Sequence, residues 1–566
     1  MFVSLTEAVE RHVRPGDTVN LIMGHSRWTA LGREVARQHW HRDSGLTLVM
    51  ASLSSLGALF FRAGCLAKVV TAYSGDSFPT YTPNPVYQRA YASGEVEVEH
   101  WSFLTFQQRL RAAAQGLPAV VTGSLAGSSM ADNAAFAQVA SPFGEVGLLA
   151  PLVPDVALVH AAVADTQGNL AMAAPLLEGV DGAFAARRGV VATVERIVDD
   201  LRPWSDQVRI PAHRVLAVVE APFGAHPGGL YAGTPGSAGA LPVTAYGEDI
   251  PFWIEARDAT RLDPSGLDDW IRTWCLDLTS HDDYLERLGR GRLDGLVRRA
   301  DPDSWHDDDA AMPVDLDRPV TSAERAAAWA ADALADRIEV VGADAVLAGA
   351  GLANLAAWVG VARARERGAA VVLTAELGMW DYTPTPADPF IFNFRAFPGT
   401  AMLSDAAAVL GTLLGGPGTR SIACVGAAQA DRHGNLNSTT IPHGPFLVGS
   451  GGANDVVSRA DETVVVTSMD PRRLVDRVGY VTCPGDRVMT VVTDLGILRR
   501  DPAGADLVLT EVVGGETPQR DRVRDVVARC GWDLDVARDV TDLSPPDAAA
   551  IAALRNHDRQ GWFLGT

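Results

Sequence analysis

Lysine is nearly missing: of 48 basic residues in 566, Lys68 alone is a lysine, and it stands in the apolar run Cys65-Leu66-Ala67-Lys68-Val69-Val70. A Walker-type phosphate loop is thereby excluded, and Schiff-base chemistry has a single poor candidate. Five cysteines, an odd number never spaced as Cys-x-x-Cys, argue against a disulfide framework and a structural zinc site. His39-Trp40-His41 has no further ligand nearby and no His-Glu-x-x-His occurs, so surface histidines are expected there and no metal site. Basic blocks are absent and the formal charge is −21, which disfavours a nucleic-acid partner. The longest apolar stretch, 341–362, is broken by Asp344, Asn354 and glycines and reads as strand, loop and helix, so no membrane span is expected. Met1 to Glu7 leads straight into a helix start without a basic region, and a cytoplasmic location is the expectation.

What is present is ordinary globular composition, 47% apolar and 21% charged, and it repeats itself. VALVHAAVADTQGNL (156–170) and IACVGAAQADRHGNL (422–436) share nine of fifteen positions at an offset of 266. Each copy reads as a buried strand ending in an Asp-x-x-Gly-Asn turn, with Gly168 or Gly434 in the left-handed region. Ser4-Leu5-Thr6-Glu7 and Thr321-Ser322-Ala323-Glu324 read as capping boxes before amphipathic helices, each leading to a strand that ends in glycine. Short apolar strands alternate with Ala/Arg-rich helices in both halves. The expected fold class is therefore α/β, with two tandem, related open-sheet domains over 1–300 and 321–566, joined by an Asp/Pro-rich linker over 301–320 that contains Asp307, Asp308, Pro313 and Pro319. In such sheets ligands sit at the carboxyl ends of the strands.

The repeat breaks at one informative place. Leu48-Val49-Met50-Ala51-Ser52-Leu53 lies over Val372-Leu373-Thr374-Ala375-Glu376-Leu377, so Glu376 ends a buried strand in only one of two related domains. It is either a residue with a task performed once per molecule or a strand-end glutamate bonding a helix N-terminus. Val448-Gly449-Ser450-Gly451-Gly452-Ala453-Asn454-Asp455 is a glycine-rich loop ahead of a helix, which suits an oxyanion or phosphate and equally suits a plain tight turn. Gly349-Ala350-Gly351 lacks the third glycine and the acidic residue of a dinucleotide fingerprint. Glu95, Glu97 and Glu99 alternate on one strand face beside Trp101, either solvated or bordering a cleft, and His226 sits in a Gly/Pro loop.

These residues resemble family I CoA-transferases of the glutaconate CoA-transferase type, with α and β subunits fused in one chain. The likeness rests on Glu97 to Ser102, Arg111 to Pro118, Pro154 to His160, Thr193 to Glu195 and Val218 to Pro227 in an α-like half, and on Gly426 to Asn437 and Gly449 to Ala453 in a β-like half. The resemblance implies that Glu376 is the nucleophile that forms a glutamyl-CoA thioester. It further implies that Gly24 and the loop Gly449, Ser450, Gly451, Gly452 and Ala453 serve the oxyanion or CoA, that a CoA thioester is the substrate with no tightly bound cofactor, and that a carboxylic acid is the acceptor. The pocket candidates are Arg27, Glu99, His226, Trp380, Tyr382, Arg395 and Gln429. Family members usually follow the glutamate with Ser-Gly or Asn-Gly; here Leu377 intervenes, and the aromatic stretch Phe390 to Phe394 follows. An apolar acyl pocket with Arg27 or Arg395 pairing a carboxylate is the expectation.

Three readings remain at the level of sequence. The first is CoA transfer between carboxylic acids through Glu376. The second is a CoA-ester hydrolase, a ring-opening hydrolase or an acyltransferase on the same scaffold, with a first-half glutamate such as Glu99 as base. The third is a ligand-sensing module, disfavoured by the absence of a DNA-binding helix pair. Homo-oligomers of the fused unit are an expectation from symmetry alone.

Overall fold

The computed structural model describes residues 1–565 except 235, 502, 503 and 505; residue 566, the end of the expected second domain, lies outside the described residues. Two open sheets with largely parallel cores carry the chain. In the first, Val156–Asp165 pairs in parallel with both Thr18–Leu21 and Val190–Val198, Thr18–Leu21 pairs with Leu46–Val49, and Val190–Val198 pairs with Val215–Glu220. In the second, Ser421–Gly426 takes the place of Val156–Asp165, flanked by Ala345–Ala348 and Glu462–Val466, with Val372–Ala375 and Val488–Val492 outside them. Five strands therefore run in the same order in both halves, which is the three-dimensional form of the internal repeat. All ten residues of Val156–Asp165 are buried, as an apolar strand covered on both faces requires.

The two Asp-x-x-Gly-Asn turns match in detail. Asp165 accepts from the N–H of Gln167 and Asn169 and from Asn169 Nδ2. Asp431 accepts from the N–H of His433 and Asn435 and from Asn435 Nδ2. The helix starts differ. Thr321 and Glu324 close a full capping box on Ser322–Val341. Ser4 caps Leu5–His12 on its own, because Glu7 turns to Arg11 instead of reaching back.

The halves diverge at the sheet edges. The first half continues past Leu46–Val49 with parallel Leu66–Thr71 and Glu97–His100. The second instead folds back through the short antiparallel strands Met379–Trp380 and Met402–Leu403. The segment expected as a linker carries a turn at Pro302–Ser304 and a helix at Trp305–Ala311. Its Asp308 is only partly exposed and pairs with Arg395 at 2.6 Å. His39 is buried too, its ring bonded to Ser44 at 2.7 Å, so the pair at 39–41 is not simply a surface feature.

The halves meet through backbone. Ser74 N–H donates to Val448 O (2.7 Å), Gly451 N–H to Ala72 O (2.9 Å) and Phe103 N–H to Gly451 O (3.0 Å). On the other side of the same seam Leu177 N–H donates to Leu377 O at 3.0 Å. The glycine-rich loop and the Glu376 turn are thus both held against the first half.

Candidate active site

A cavity of about 980 Å³ opens between the carboxyl ends of the two sheets, lined by residues of both halves. Ser52 and Glu376 both line it, but Leu48 pairs with Val19 where Leu373 pairs with Val346, so the residue in the place of Glu376 is Ala51 and the expected overlay on Ser52 is one residue out of register. Glu376 is the first residue after Val372–Ala375. Its turn is closed by Gly378 N–H donating to Ala375 O (3.2 Å), with Gly378 at φ +118°. A Cβ on Gly378 would fall 2.3 Å from Ser404 O, so glycine is demanded both by the left-handed backbone and by the packing. Leu377 is buried beside it and lines the cavity.

The Glu376 carboxyl meets solvent only through the cavity. Burial, and secondarily the charge of Asp455, push its pKa up to about 8. No hydrogen bond holds it among the described residues. The backbone of Gly452 passes so close that a Cβ there would lie 2.4 Å from Glu376 Oε2. Asp455, in the helix Ala453–Arg459, accepts from Ser102 Oγ (2.6 Å) and Leu104 N–H (3.0 Å), capping the first-half helix Phe103–Ala114 across the seam. Burial pushes its own pKa up to about 6.

The loop expected to offer a row of N–H donors offers fewer. Gly449 N–H is spent on Ser438 O, Gly451 N–H on Ala72 O and Ala453 N–H on Ser450 O. Gly24 N–H, expected to contribute from the first half, donates to Ser26 O at 3.3 Å. Among the described residues the N–H groups of Ser450 and Gly452 have no protein acceptor, and both residues line the cavity with Glu376.

Of the pocket candidates, Arg27 and Gln429 line the cavity and five do not. Glu99 is taken by Lys68 Nζ (2.6 Å), Arg109 (2.7 Å) and Trp101 Nε1 (2.7 Å); burial would raise its pKa, but these partners hold it below the usual carboxylate range. The His226 ring is buried between Asp249 (2.9 Å) and Tyr284 (2.6 Å), and burial lowers its pKa. Tyr382 is buried with its hydroxyl accepting from Trp358 Nε1. Trp380 sits in the antiparallel strand opposite Thr374, outside the cavity. Arg395 is buried on Asp308 and faces a separate small crevice.

Sequence reasoning missed Tyr81, Glu248 and Arg473, which line the cavity, and Asp455, which lies in the quoted glycine loop without being singled out. The capping partner of Asp455 is more than 350 residues away, so no local signal marked it. No group of three or more His, Cys, Asp or Glu suited to a metal ion occurs among the described residues. No helix of the described residues is long and apolar enough to cross a membrane.

The coenzyme A transferase family model matches residues 2–221. Over 231 residues the chain is 32% identical to one of the two subunits of the 3-oxoadipate CoA-transferase of Pseudomonas knackmussii, covering 40% of this chain and 80% of that subunit. To the other kind of subunit, represented by the glutaconate CoA-transferase of Acidaminococcus fermentans, it is 35% identical over 156 residues, covering 24% of this chain and 56% of that one, so the chain spans just over half of its length. An acyl-CoA transferase from Escherichia coli shares the fold over 98% of this chain and 96% of its own, with a TM-score of 0.65 at 16% identity. With similarity to both kinds of subunit within one polypeptide, the chain belongs to the coenzyme A transferase family.

Proposed function

We propose that the protein moves coenzyme A from an acyl-CoA thioester to a carboxylic acid by way of Glu376. Glu376 Oε attacks the thioester carbonyl carbon, the C–S bond breaks, and an acyl-glutamyl anhydride and CoA thiolate are formed. The thiolate attacks the Glu376 carbonyl carbon, expelling the donor carboxylate and leaving a glutamyl-CoA thioester. The acceptor carboxylate attacks that thioester and releases thiolate, giving a second anhydride. The thiolate then attacks the acceptor acyl carbon, forming the new acyl-CoA and restoring the Glu376 carboxylate. Protons balance throughout, and no oxidant or metal enters.

The observation that carries this reading is a desolvated carboxylate alone at a strand end, pressed against Gly452 inside a two-domain cavity. Burial removes the hydration that makes a carboxylate a poor nucleophile in water. The unpaired N–H groups of Ser450 and Gly452, both in the cavity lining, are the donors this reading assigns to the tetrahedral oxyanions, and one such donor is worth about 10² to 10³ in rate. The cavity mouth carries Gln429, Arg472 and Arg473. Arg472 is paired with Asp470 at 2.9 Å, whereas among the described residues the Arg473 guanidinium has a 3.5 Å contact to Ala427 O and a longer-range attraction to Asp470, which leaves it suited to the anionic phosphates of CoA. The pantetheine would run inward from there, supplying binding energy for the chemistry.

A hydrolase using Glu99 as base has no support in the geometry, since that carboxylate is committed to Lys68 and Arg109 away from the cavity. Steady-state kinetics test the proposal: transfer follows ping-pong behaviour, Glu376→Ala and Glu376→Asp abolish it, and Glu376→Gln recovers slowly as the amide is hydrolysed. Sequential kinetics with Glu376→Ala retaining transfer would overturn it.

A further inference from the structure

Among the described residues that line the cavity, arginines fall in two regions. One is the mouth with Arg472 and Arg473; the other is Arg27 on the first-half wall. Arg27 is enclosed, its side chain 14% exposed, yet poorly satisfied. Its Nη1 reaches only the weak acceptor Met23 Sδ at 3.2 Å, and its buried Nε finds no acceptor among the described residues. The nearest carboxylate, Glu248, stands 3.9 Å away, beyond hydrogen-bond distance, and the guanidinium lies 5.2 Å from the centre of the Trp253 ring. A buried guanidinium left in this state is costly, and a planar carboxylate matches its vacant donors.

The space in front of Arg27 is walled by rings. Phe390 packs against Phe78 (4.4 Å), Trp562 (5.4 Å) and Phe563 (5.9 Å), and Tyr81 stacks on Phe563 at 6.2 Å. Tyr81 lines the cavity together with Glu376, Glu248 and Arg27, and the charges of all three act on its hydroxyl. An acyl group bonded to Glu376 therefore has ring faces to lie against and a cation beyond them.

We infer that this wing of the cavity is a receptor for a distal carboxylate, seated on Arg27 beside Glu248, on an acyl group with a ring-sized apolar body, so that the preferred substrates are monothioesters of ring-bearing dicarboxylic acids. The inference rests on the proposed thioester chemistry for its orientation, with the reacting carbonyl at Glu376. Glu248 has a part in it. It faces Arg27, Asp388 and Arg299, and burial pushes its pKa up to about 7, so below that pH it is an un-ionised acid able to donate to the same ligand carboxylate. Above it, its negative charge competes for Arg27.

The test compares the mono-CoA ester of cyclohexane-1,4-dicarboxylic acid with the same ester whose distal carboxyl is methylated. The wild-type ratio of kcat/KM is expected to favour the free diacid by about 50-fold or more, and Arg27→Gln to bring it to within about 3-fold of unity, the scale of lost charged hydrogen bonds. The ratio is internal to each variant, so a general loss of folding does not mimic the result. For the wild type the ratio falls as pH rises through about 7, and Glu248→Gln flattens that dependence. A wild-type ratio near one, or a ratio that survives Arg27→Gln, overturns the inference. Calorimetry of the free diacid and its monomethyl ester separates this from the chemistry at Glu376. Arg27-dependent preference without any adduct on Glu376 keeps the receptor and sinks the thioester mechanism; an adduct formed equally from both esters does the reverse.

Discussion

Replacing Gly452 by alanine would set a methyl carbon 2.4 Å from Glu376 Oε2, 3.1 Å from its Cδ and 3.5 Å from its Cβ. Carbon and oxygen repel well outside 2.4 Å, so one group must retreat by about 1 Å. Gly452 is anchored between the bonded Gly451 and the helix Ala453–Arg459, whereas the atom it meets is the tip of a side chain with three rotatable bonds. The carboxylate yields. A displacement of about 1 Å at a reacting atom costs about 10²-fold, and misaligning the Gly452 N–H costs a further 10-fold or more, so kcat should fall by about 10³. Stability should hardly change. Gly452 has φ −86°, which alanine adopts freely, and the change should stay within about 1 kcal/mol. The assays are steady-state kcat, single-turnover acylation and denaturant unfolding. A variant within tenfold of wild-type kcat, or one losing more than about 3 kcal/mol of stability, would refute the close approach as the reason for glycine.

Further outcomes follow from the same geometry. Because Glu376 titrates near 8, kcat/KM should rise with pH until about 8 and then level, measured with a substrate that has no titratable group in that range. A carboxyl raised in the fold binds more protons than in the unfolded chain between its ordinary pKa of 4.5 and about 8, so its stability contribution falls as pH rises through that window. Glu376→Gln should accordingly raise Tm more at pH 8 than at pH 5. Asp455→Asn should move the activity limb to lower pH by removing a neighbouring charge, while weakening the cap on Phe103–Ala114 by about 1 kcal/mol in denaturant unfolding. Arg473→Ala should raise KM for the CoA ester about 5-fold with little change in kcat, an effect that shrinks in high salt.

Much of this was legible in the sequence, through one comparison. The fifteen-residue repeat placed Val156–Asp165 and Ser421–Gly426 as equivalent strands, and the structure surrounds each with the same neighbours in the same order. The overlay of Glu376 on Ser52 was one residue out of register, since the strand pairing sets Ala51 in its place, but it pointed to a strand end that opens on the interdomain cavity. Contacts between distant segments were not legible. Gly451 looks like a free donor until Ala72, in the other half, accepts its N–H. Glu99 looks like a cleft carboxylate until the parallel pairing of Val70 with Glu99 brings Lys68 beside it. Arg395 looked available because its partner Asp308 lies in a segment whose composition reads as solvated. Tyr81 and Glu248 follow no periodicity at all; they reach the cavity on loops whose course only the packed structure fixes.

The central claim is a covalent bond between Glu376 and coenzyme A during turnover. Incubation with an acyl-CoA and no acceptor, followed by borohydride and proteolysis, should lower the mass of the Glu376 peptide by the conversion of a carboxyl to an alcohol, with activity lost in proportion. An unmodified Glu376 peptide from enzyme that is turning over would contradict the account.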